Sequence, residues 1–192
     1  LREKVRGIEK ADSVAFDAHK LFGAGLTSSF ILTKHPGLLL EANDVSGADY
    51  LFHSDDETLD RGKLSWQCGR RADAVSFWAI WKSVGTQGLG KSVDRLLSVR
   101  DETLAWIKKE PRLELVVSPE YLNLCVRVKT PTAKGQDPHW SKKIREILKD
   151  KNLTMVNYSS DEKGDFLRLI LAHPQLEFKH VQQIFEWALG VE

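Results

Sequence analysis

The sequence predicts a protein of mixed helices and strands whose C-terminal part is a compact α+β unit. Three observations carry this. Two short runs near the start, 13–18 and 27–33, are rich in β-forming residues. A long stretch over 89–110 repeats apolar residues at helical spacing. Beyond Pro111, alternating apolar runs interleave with two further helical patterns.

Taken in order, residues 1–10 read as the end of a polar helix or a connector. Val14 and Phe16 alternate into a strand that ends in Asp17-Ala18-His19-Lys20. Gly23 and Gly25 follow, where the backbone can turn tightly and approach a ligand or a neighbouring subunit. After the second strand, His35-Pro36-Gly37 signals a turn and 38–40 a short helical or irregular segment. The polar, acidic stretch 49–64 reads as a loop. A helix is expected over 70–84, burying Val75, Trp78, Ile80 and Trp81. The glycines of 85–88 break it, and the long helix then buries Val93, Leu96, Leu97, Leu104 and Ile107 until Pro111 ends it. Strands are expected over 113–117, 122–128, 153–158 and 166–172, with a polar turn over 159–164. Helices are expected over 140–150 and 177–189.

The 192 residues suffice for one domain with a substantial core, or for a domain and a smaller companion. The 28 basic and 27 acidic residues nearly cancel, so no overall field argues for nucleic acid or a membrane surface. No apolar run approaches the roughly 20 residues of a membrane helix. The charged stretch 1–6 lacks the apolar core of a signal peptide, and a cytoplasmic protein is expected. Cys68 and Cys125 stand apart from each other and from histidines at ligand spacing. Buried free thiols in a reducing compartment, and no metal site, are the expectation.

Two residues stand out by type and place. A lysine at the end of a buried strand, Lys20, is either a solvated loop cation or an amine held in an apolar site, where desolvation favours the neutral form that condenses with a carbonyl. Arg168, in an apolar strand, is either a structural ion-pair partner or a planar bidentate clamp for a carboxylate. Arg70 and Arg71 read as structural or anion-binding, and the helix dipole does not favour them at a helix start.

The stretch 7–14, the step to His19-Lys20, and Ser28-Ser29-Phe30-Ile31-Leu32 together resemble the pyridoxal-phosphate lysine segment of the group II amino-acid decarboxylases. Among these the likeness is greatest to the glutamate and cysteine-sulfinate decarboxylases. The resemblance implies an aspartate-aminotransferase-like, fold type I α/β architecture. Residues 1–86 would form the C-terminal part of the large cofactor domain, and 87–192 a linking helix and small C-terminal α+β domain. It implies pyridoxal 5'-phosphate as cofactor, Lys20 as its covalent anchor and His19 as a contact to its phosphate. Where the family segment reads Asn-Pro-His-Lys, this one reads Asp-Ala-His-Lys. Asp17 therefore takes the place of an asparagine that helps hold the phosphate. A carboxylate there is a like-charge neighbour of a phosphate dianion unless it is protonated or turned away.

Gly164-Asp165-Phe166-Leu167-Arg168 matches a family segment of the type Gly-Asn-Phe-Phe-Arg, which makes Arg168 the ligand of the substrate carboxylate. Tyr50-Leu51-Phe52 and Gln67-Cys68-Gly69-Arg70-Arg71 flank the family's catalytic loop, whose tyrosine protonates the product carbanion. No tyrosine lies between Tyr50 and Tyr121 here, which leaves His53 as the nearest group able to give a proton. The implied activity is decarboxylation of a small acidic amino acid (glutamate, aspartate or cysteine sulfinate) to the amine and CO₂, in a homodimer or higher assembly. No nucleic acid or membrane partner is implied. The family's partner for the pyridine nitrogen, its ring-stacking histidine and its first phosphate-binding loop all precede the lysine segment. The chain is thus expected to be the C-terminal portion of such an enzyme, with the N-terminal portion preceding it or on a separate chain. Two alternatives accompany this reading: a non-catalytic decarboxylase-like partner subunit, and a pyridoxal-phosphate enzyme with an oxidative or transaminating outcome.

Overall fold

The computed structural model describes residues 2–44, 62–65, 67, 69–131, 135 and 137–191. They fall into two compact units, Leu1–Ser83 and Val84–Glu192.

In the first unit, 3-10 turns at Arg2–Val5 and Ile8–Lys10 lead into β1 (Ser13–Asp17), α1 (Ala18–Leu21), β2 (Ser29–Thr33) and α2 (Leu38–Ala42). β1 and β2 are antiparallel, with Phe16 opposite Phe30 and Asp17 opposite Ser29. Strand alternation puts Phe16 and Phe30 on one face and Asp17 and Ser29 on the other. On the first face the two rings stack with centroids 5.1 Å apart. Phe77 closes onto both, at 6.1 and 5.3 Å. Ala18, Phe22, Ala24 and Ile80 complete the cluster, so the turn that follows Asp17 is anchored by its neighbours on either side.

Phe77 belongs to α3 (Asp73–Ile107). This helix starts at Asp73 and not at 70. Its first turn carries an acidic residue, and Arg70 and Arg71 remain outside it, as the positive end of the helix dipole favours. The expected buried face is also corrected. Phe77 is 8% exposed, whereas Val75, Trp78 and Trp81 stand 57%, 60% and 45% exposed. Spacing alone picked a run of large side chains, but the aromatic cluster on β1 and β2 lies on the side of Phe77 and Ile80. The expected break over 85–88 is a kink at one residue, Gly85 (φ 66°, ψ 177°), after which the helix continues at once. Only glycine takes that conformation without strain.

In the second unit, the rest of α3 buries Val93, Leu96, Val99, Thr103 and Ile107. Leu97 and Leu104 are half-buried. A threonine sits on the buried stripe because its Oγ1 donates to the Val99 carbonyl at 2.7 Å. There follow β3 (Leu113–Leu115), β4 (Asn123–Val128), α4 (Trp140–Asp150), β5 (Asn157–Asp161), β6 (Gly164–Ile170) and α5 (Phe178–Leu189). The strands form one antiparallel sheet in the order β3-β4-β6-β5. Leu124 and Val126 lie opposite Leu169 and Leu167, and α4, with Ile144 and Leu148 fully buried, packs on the sheet. The alternate residues form the second face, where Cys125 and Asn157 both lie opposite Arg168.

β5 is displaced from the expected 153–158. It runs through Ser159, Ser160 and Asp161, leaving a two-residue turn before Gly164. The sequence looks too polar for a strand because β5 is an edge strand with a wet face. Arg127 on β4 fixes its end, with Nη2 donating to Asp161 Oδ1 at 2.5 Å. Gly164 has φ +121°, and a Cβ there would overlap the Pro138 carbonyl oxygen. That oxygen accepts the Asp165 N–H at 2.6 Å. The Asp165 carboxylate, 4% exposed, accepts from Ser160 Oγ at 2.6 Å and from His139 Nδ1 at 3.0 Å. Burial pushes its pKa up, but the hydrogen bonds from Ser160 and His139 outweigh burial and hold it below the ordinary aspartate value. At the end of α3, Glu110 takes the Arg112 guanidinium in two bonds, 2.8 and 2.9 Å, and the Arg112 N–H at 3.0 Å.

Two stability predictions result. Gly164→Ala introduces both an unfavourable φ and a backbone overlap, and should cost at least ~2 kcal/mol, read as a lower urea midpoint with an unchanged slope. The guanidinium of Arg112 holds the Glu110 carboxyl down at about 2, from an ordinary 4.5. A depressed carboxyl stabilises the fold above its unfolded pKa, and that contribution is lost as pH falls through the folded value. Glu110→Gln should therefore lower stability by ~1 kcal/mol at neutral pH, and the gap to wild type should narrow steadily once urea titrations are carried below pH 4.5.

Candidate functional site

The end of β1 gathers the groups of chemical interest. Asp17 is the last strand residue and Ala18, fully buried, opens the single turn of α1. That turn brings Lys20 Nζ to 2.6 Å from Asp17 Oδ2. Across the ladder, Ser29 Oγ donates to Asp17 Oδ1 at 2.6 Å. The hydrogen bond from Lys20, and after it that from Ser29, hold the Asp17 carboxyl below its ordinary value. Asp17 is thus ionised, with each oxygen engaged. The Lys20 side chain is 71% exposed, so the amine is open to solvent and ion-paired, not held in an apolar site.

His19 is fixed from the other side. Its ring Nδ1 lies 3.1 Å from the Ser28 carbonyl, and its backbone N–H donates to the same oxygen at 3.3 Å. A carbonyl only accepts, so Nδ1 carries the proton and Nε2 is the nitrogen left for another partner. Ser28, 2% exposed, donates its hydroxyl to the Asp73 carbonyl at 3.0 Å. Gly25 N–H donates to Ser76 Oγ at 2.9 Å. Two bonds therefore tie the loop between α1 and β2 to the first turns of α3. Gly23, at φ 69°, supplies the left-handed turn that starts this loop. A cleft of about 270 Å³ adjoins β2, lined among others by Ser28, Ser29, Arg70, Arg71 and Asp73. Arg70 Nη1 also donates to the Gln67 carbonyl at 2.9 Å.

The serines were not singled out from the sequence. Ser29 becomes significant only through the register that sets it opposite Asp17, and Ser28 only through its carbonyl. The one legible signal was a pair of serines at the start of a strand that follows a histidine and a lysine.

Arg168 lies in the second unit, half-buried on β6. Its Nε is buried without a hydrogen-bond partner, and no carboxylate among the described residues pairs with it. Arg127, on the same face of the sheet, differs: its Nε is also unpartnered, but its two terminal nitrogens reach Glu114 at 3.0 Å and Asp161 at 2.5 Å. Opposite Arg168 sits the free, buried thiol of Cys125. Burial pushes that thiol's pKa up, with the charge of Arg168 pulling against it. His53, the proposed proton donor, lies outside the described residues, as do Tyr50 and Cys68. Among the described residues no helix is long and apolar enough to cross a membrane.

Comparison with known proteins gives a consistent family. The model of the pyridoxal-dependent decarboxylase conserved domain matches residues 1–129. Cysteine sulfinic acid decarboxylase of Mus musculus is 35% identical over 188 residues, covering 91% of this chain and 38% of that protein. The acidic amino acid decarboxylase of Xenopus tropicalis is also 35% identical over 188 residues, covering 91% and 37%. Among solved structures, mouse CSAD in apo form superposes with a TM-score of 0.83 at 31% identity, over 98% of this chain and 41% of that one. Tryptophan decarboxylase of Catharanthus roseus shares the fold, with a TM-score of 0.80 at 22% identity over 98% and 38%. The chain thus spans less than half the length of the curated relatives it matches. Its architecture is the expected α/β one, that of fold type I decarboxylases. By its sequence and its fold, this chain belongs to the pyridoxal-dependent decarboxylase family.

Proposed function

We propose that the chain is the C-terminal part of a pyridoxal 5'-phosphate-dependent decarboxylase acting on a small acidic amino acid such as glutamate, aspartate or cysteine sulfinate. In this reading residues 1–86 end the large cofactor domain, and 87–192 are the linking helix and small domain. The working enzyme is a homodimer or higher assembly that includes the N-terminal portion. The buried free thiol of Cys125 supports a reducing, cytoplasmic setting.

The observation that carries the reading is an accessible primary amine, Lys20, at a strand end beside a histidine whose ring orientation is fixed. These residues fit the cofactor as a group that joins an amine and carries a phosphate; Asp17 is the one that fits least. Pyridoxal phosphate, when bound, supplies the electron sink for the charge left at the α-carbon as CO₂ departs. Lys20 tethers it through Nζ. With Nδ1–H committed to the Ser28 carbonyl, His19 would donate from Nε2 to the phosphate only in its imidazolium form. As an imidazolium it would donate from both nitrogens. Arg168 has a planar guanidinium whose Nε lacks a hydrogen-bond partner among the described residues, suited to take the substrate carboxylate in two parallel bonds and so orient the bond to be broken. His53 is assigned the proton delivered to the product carbon.

One observation favours a second reading, a non-catalytic partner subunit: the amine of Lys20 is already engaged by Asp17. The oxidative or transaminating alternative rests on the tyrosine-free loop alone.

The three separate in one set of measurements on the complete protein. The primary reading expects an absorbance band near the visible edge with added cofactor, CO₂ and amine from an acidic amino acid, and loss of both band and turnover in Lys20→Ala. Arg168→Ala should keep the band and lose ~10- to 150-fold in kcat/KM, the loss expected for a charged hydrogen-bonding partner. A band without turnover supports the partner subunit. Aldehyde or hydrogen peroxide in place of amine supports the altered outcome, and a wild-type protein without a band removes the anchor role of Lys20.

A further inference from the structure

We propose that Asp17 and Ser29 form an ionic latch on Lys20 that restrains its attachment to an aldehyde. The inference rests on the reading of Lys20 as the cofactor anchor and adds a control on that step.

The latch is built by register. Ser29 lies directly opposite Asp17 in the β1–β2 ladder, so the two side chains project from the same face. Ser29 Oγ takes Oδ1 at 2.6 Å, which leaves Oδ2 aimed at Lys20 Nζ, also 2.6 Å away. Lys20 is presented to this oxygen by one helical turn that starts on the buried Ala18. The carboxylate cannot swing aside without giving up Ser29, and the turn cannot shift without disturbing the aromatic cluster around Ala18.

The latch opposes attachment for a simple reason: Asp17 binds the ammonium form, and an aldehyde reacts with the neutral amine. Lys20 must first release one proton to solvent and leave the ion pair. Its nitrogen lone pair then adds to the aldehyde carbon. A C=N bond replaces the C=O bond and one water departs, with no oxidant or reductant needed. A neutral side chain of the same shape at position 17 removes this barrier.

The test is reductive labelling of the full chain. Wild type, Asp17→Asn and Ser29→Ala are each incubated with pyridoxal 5'-phosphate or with unphosphorylated pyridoxal and trapped by borohydride, which supplies the hydride that reduces C=N. Labelling at Lys20 is then read by mass spectrometry against the exposed Lys91 and Lys108 of the same digest. The Lys20 side of the pair is open to solvent, so the effect is modest: Asp17→Asn should label Lys20 about two- to fivefold faster. Ser29→Ala should move in the same direction by less, which charge removal cannot explain because Asp17 is still present. The gain should be equal for both aldehydes. Equal labelling of Lys20 in wild type and Asp17→Asn overturns the latch and leaves the anchor reading intact. So does a gain confined to the phosphorylated aldehyde, which would mean that Asp17 repels the phosphate instead. Absence of Lys20 label in all three proteins, with Lys91 and Lys108 labelled, overturns the anchor reading and the latch together.

Discussion

The antiparallel register of β1 and β2 is the constraint on which the candidate site depends. It sets Phe16 against Phe30 on one face and Asp17 against Ser29 on the other. A slip of β1 by one residue would turn its faces over, bringing the Asp17 carboxylate into the ring cluster and Phe16 to the outside. The aromatic cluster around Phe77 therefore stabilises the unit and also fixes the polar pairing. The hydrogen bonds from Gly25 to Ser76 and from Ser28 to Asp73 extend the constraint to α3. The lysine's surroundings are thus set by residues far from it in sequence.

This division explains what could be read from the residues and what could not. The strands other than β5, and the helices at 140–150 and 177–189, were legible because local pattern decides them: alternation and apolar spacing. The inward face of α3 was not. Val75, Trp78 and Trp81 have the spacing of a buried stripe, but the partner that decides the matter is the Phe16–Phe30 pair, and it meets Phe77. The position of β5 failed for a related reason. Ser159, Ser160 and Asp161 look like a turn until Arg127, from a different strand, supplies the charge that holds them in the sheet. At the site the same rule applies. Lys20 and Arg168 were visible as odd residues in their strands, while Ser28 and Ser29 acquire their roles only from pairing.

The two arginines on the polar face of the second unit's sheet show how charge satisfaction separates structure from chemistry. Arg127 is nearly buried and has its terminal nitrogens on Glu114 and Asp161, so it ties β3, β4 and the end of β5 together. Removing either carboxylate would leave charge in a poorly hydrated place. Arg168, half-buried nearby on that face, has no such carboxylate among the described residues. A guanidinium kept from full hydration without an anion is costly unless an anion arrives from elsewhere. That cost is a reason to read Arg168 as a ligand-binding group and Arg127 as a structural one, although both sit in similar strands.

At position 17 an aspartate oxygen stands where an asparagine would carry its NH₂ group. An asparagine there, as in the decarboxylases that this chain resembles, has an NH₂ group that donates and an oxygen that accepts, and it carries no charge. It can give a hydrogen bond to a phosphate and leave a neighbouring amine free. Aspartate has two acceptors and a negative charge, so every partner it takes must donate. In this protein the donors are Ser29 and Lys20. The change therefore removes a donor from the neighbourhood of the lysine and supplies the lysine with a counter-ion. With Lys20 as the proposed anchor, both consequences bear on the joining of the amine to an aldehyde, and they act through different atoms. Substituting Asp17 alters both at once, whereas Ser29 acts only on the counter-ion. For that reason the hydroxyl of Ser29, which donates to Asp17 Oδ1, is the group that can tell the two effects apart.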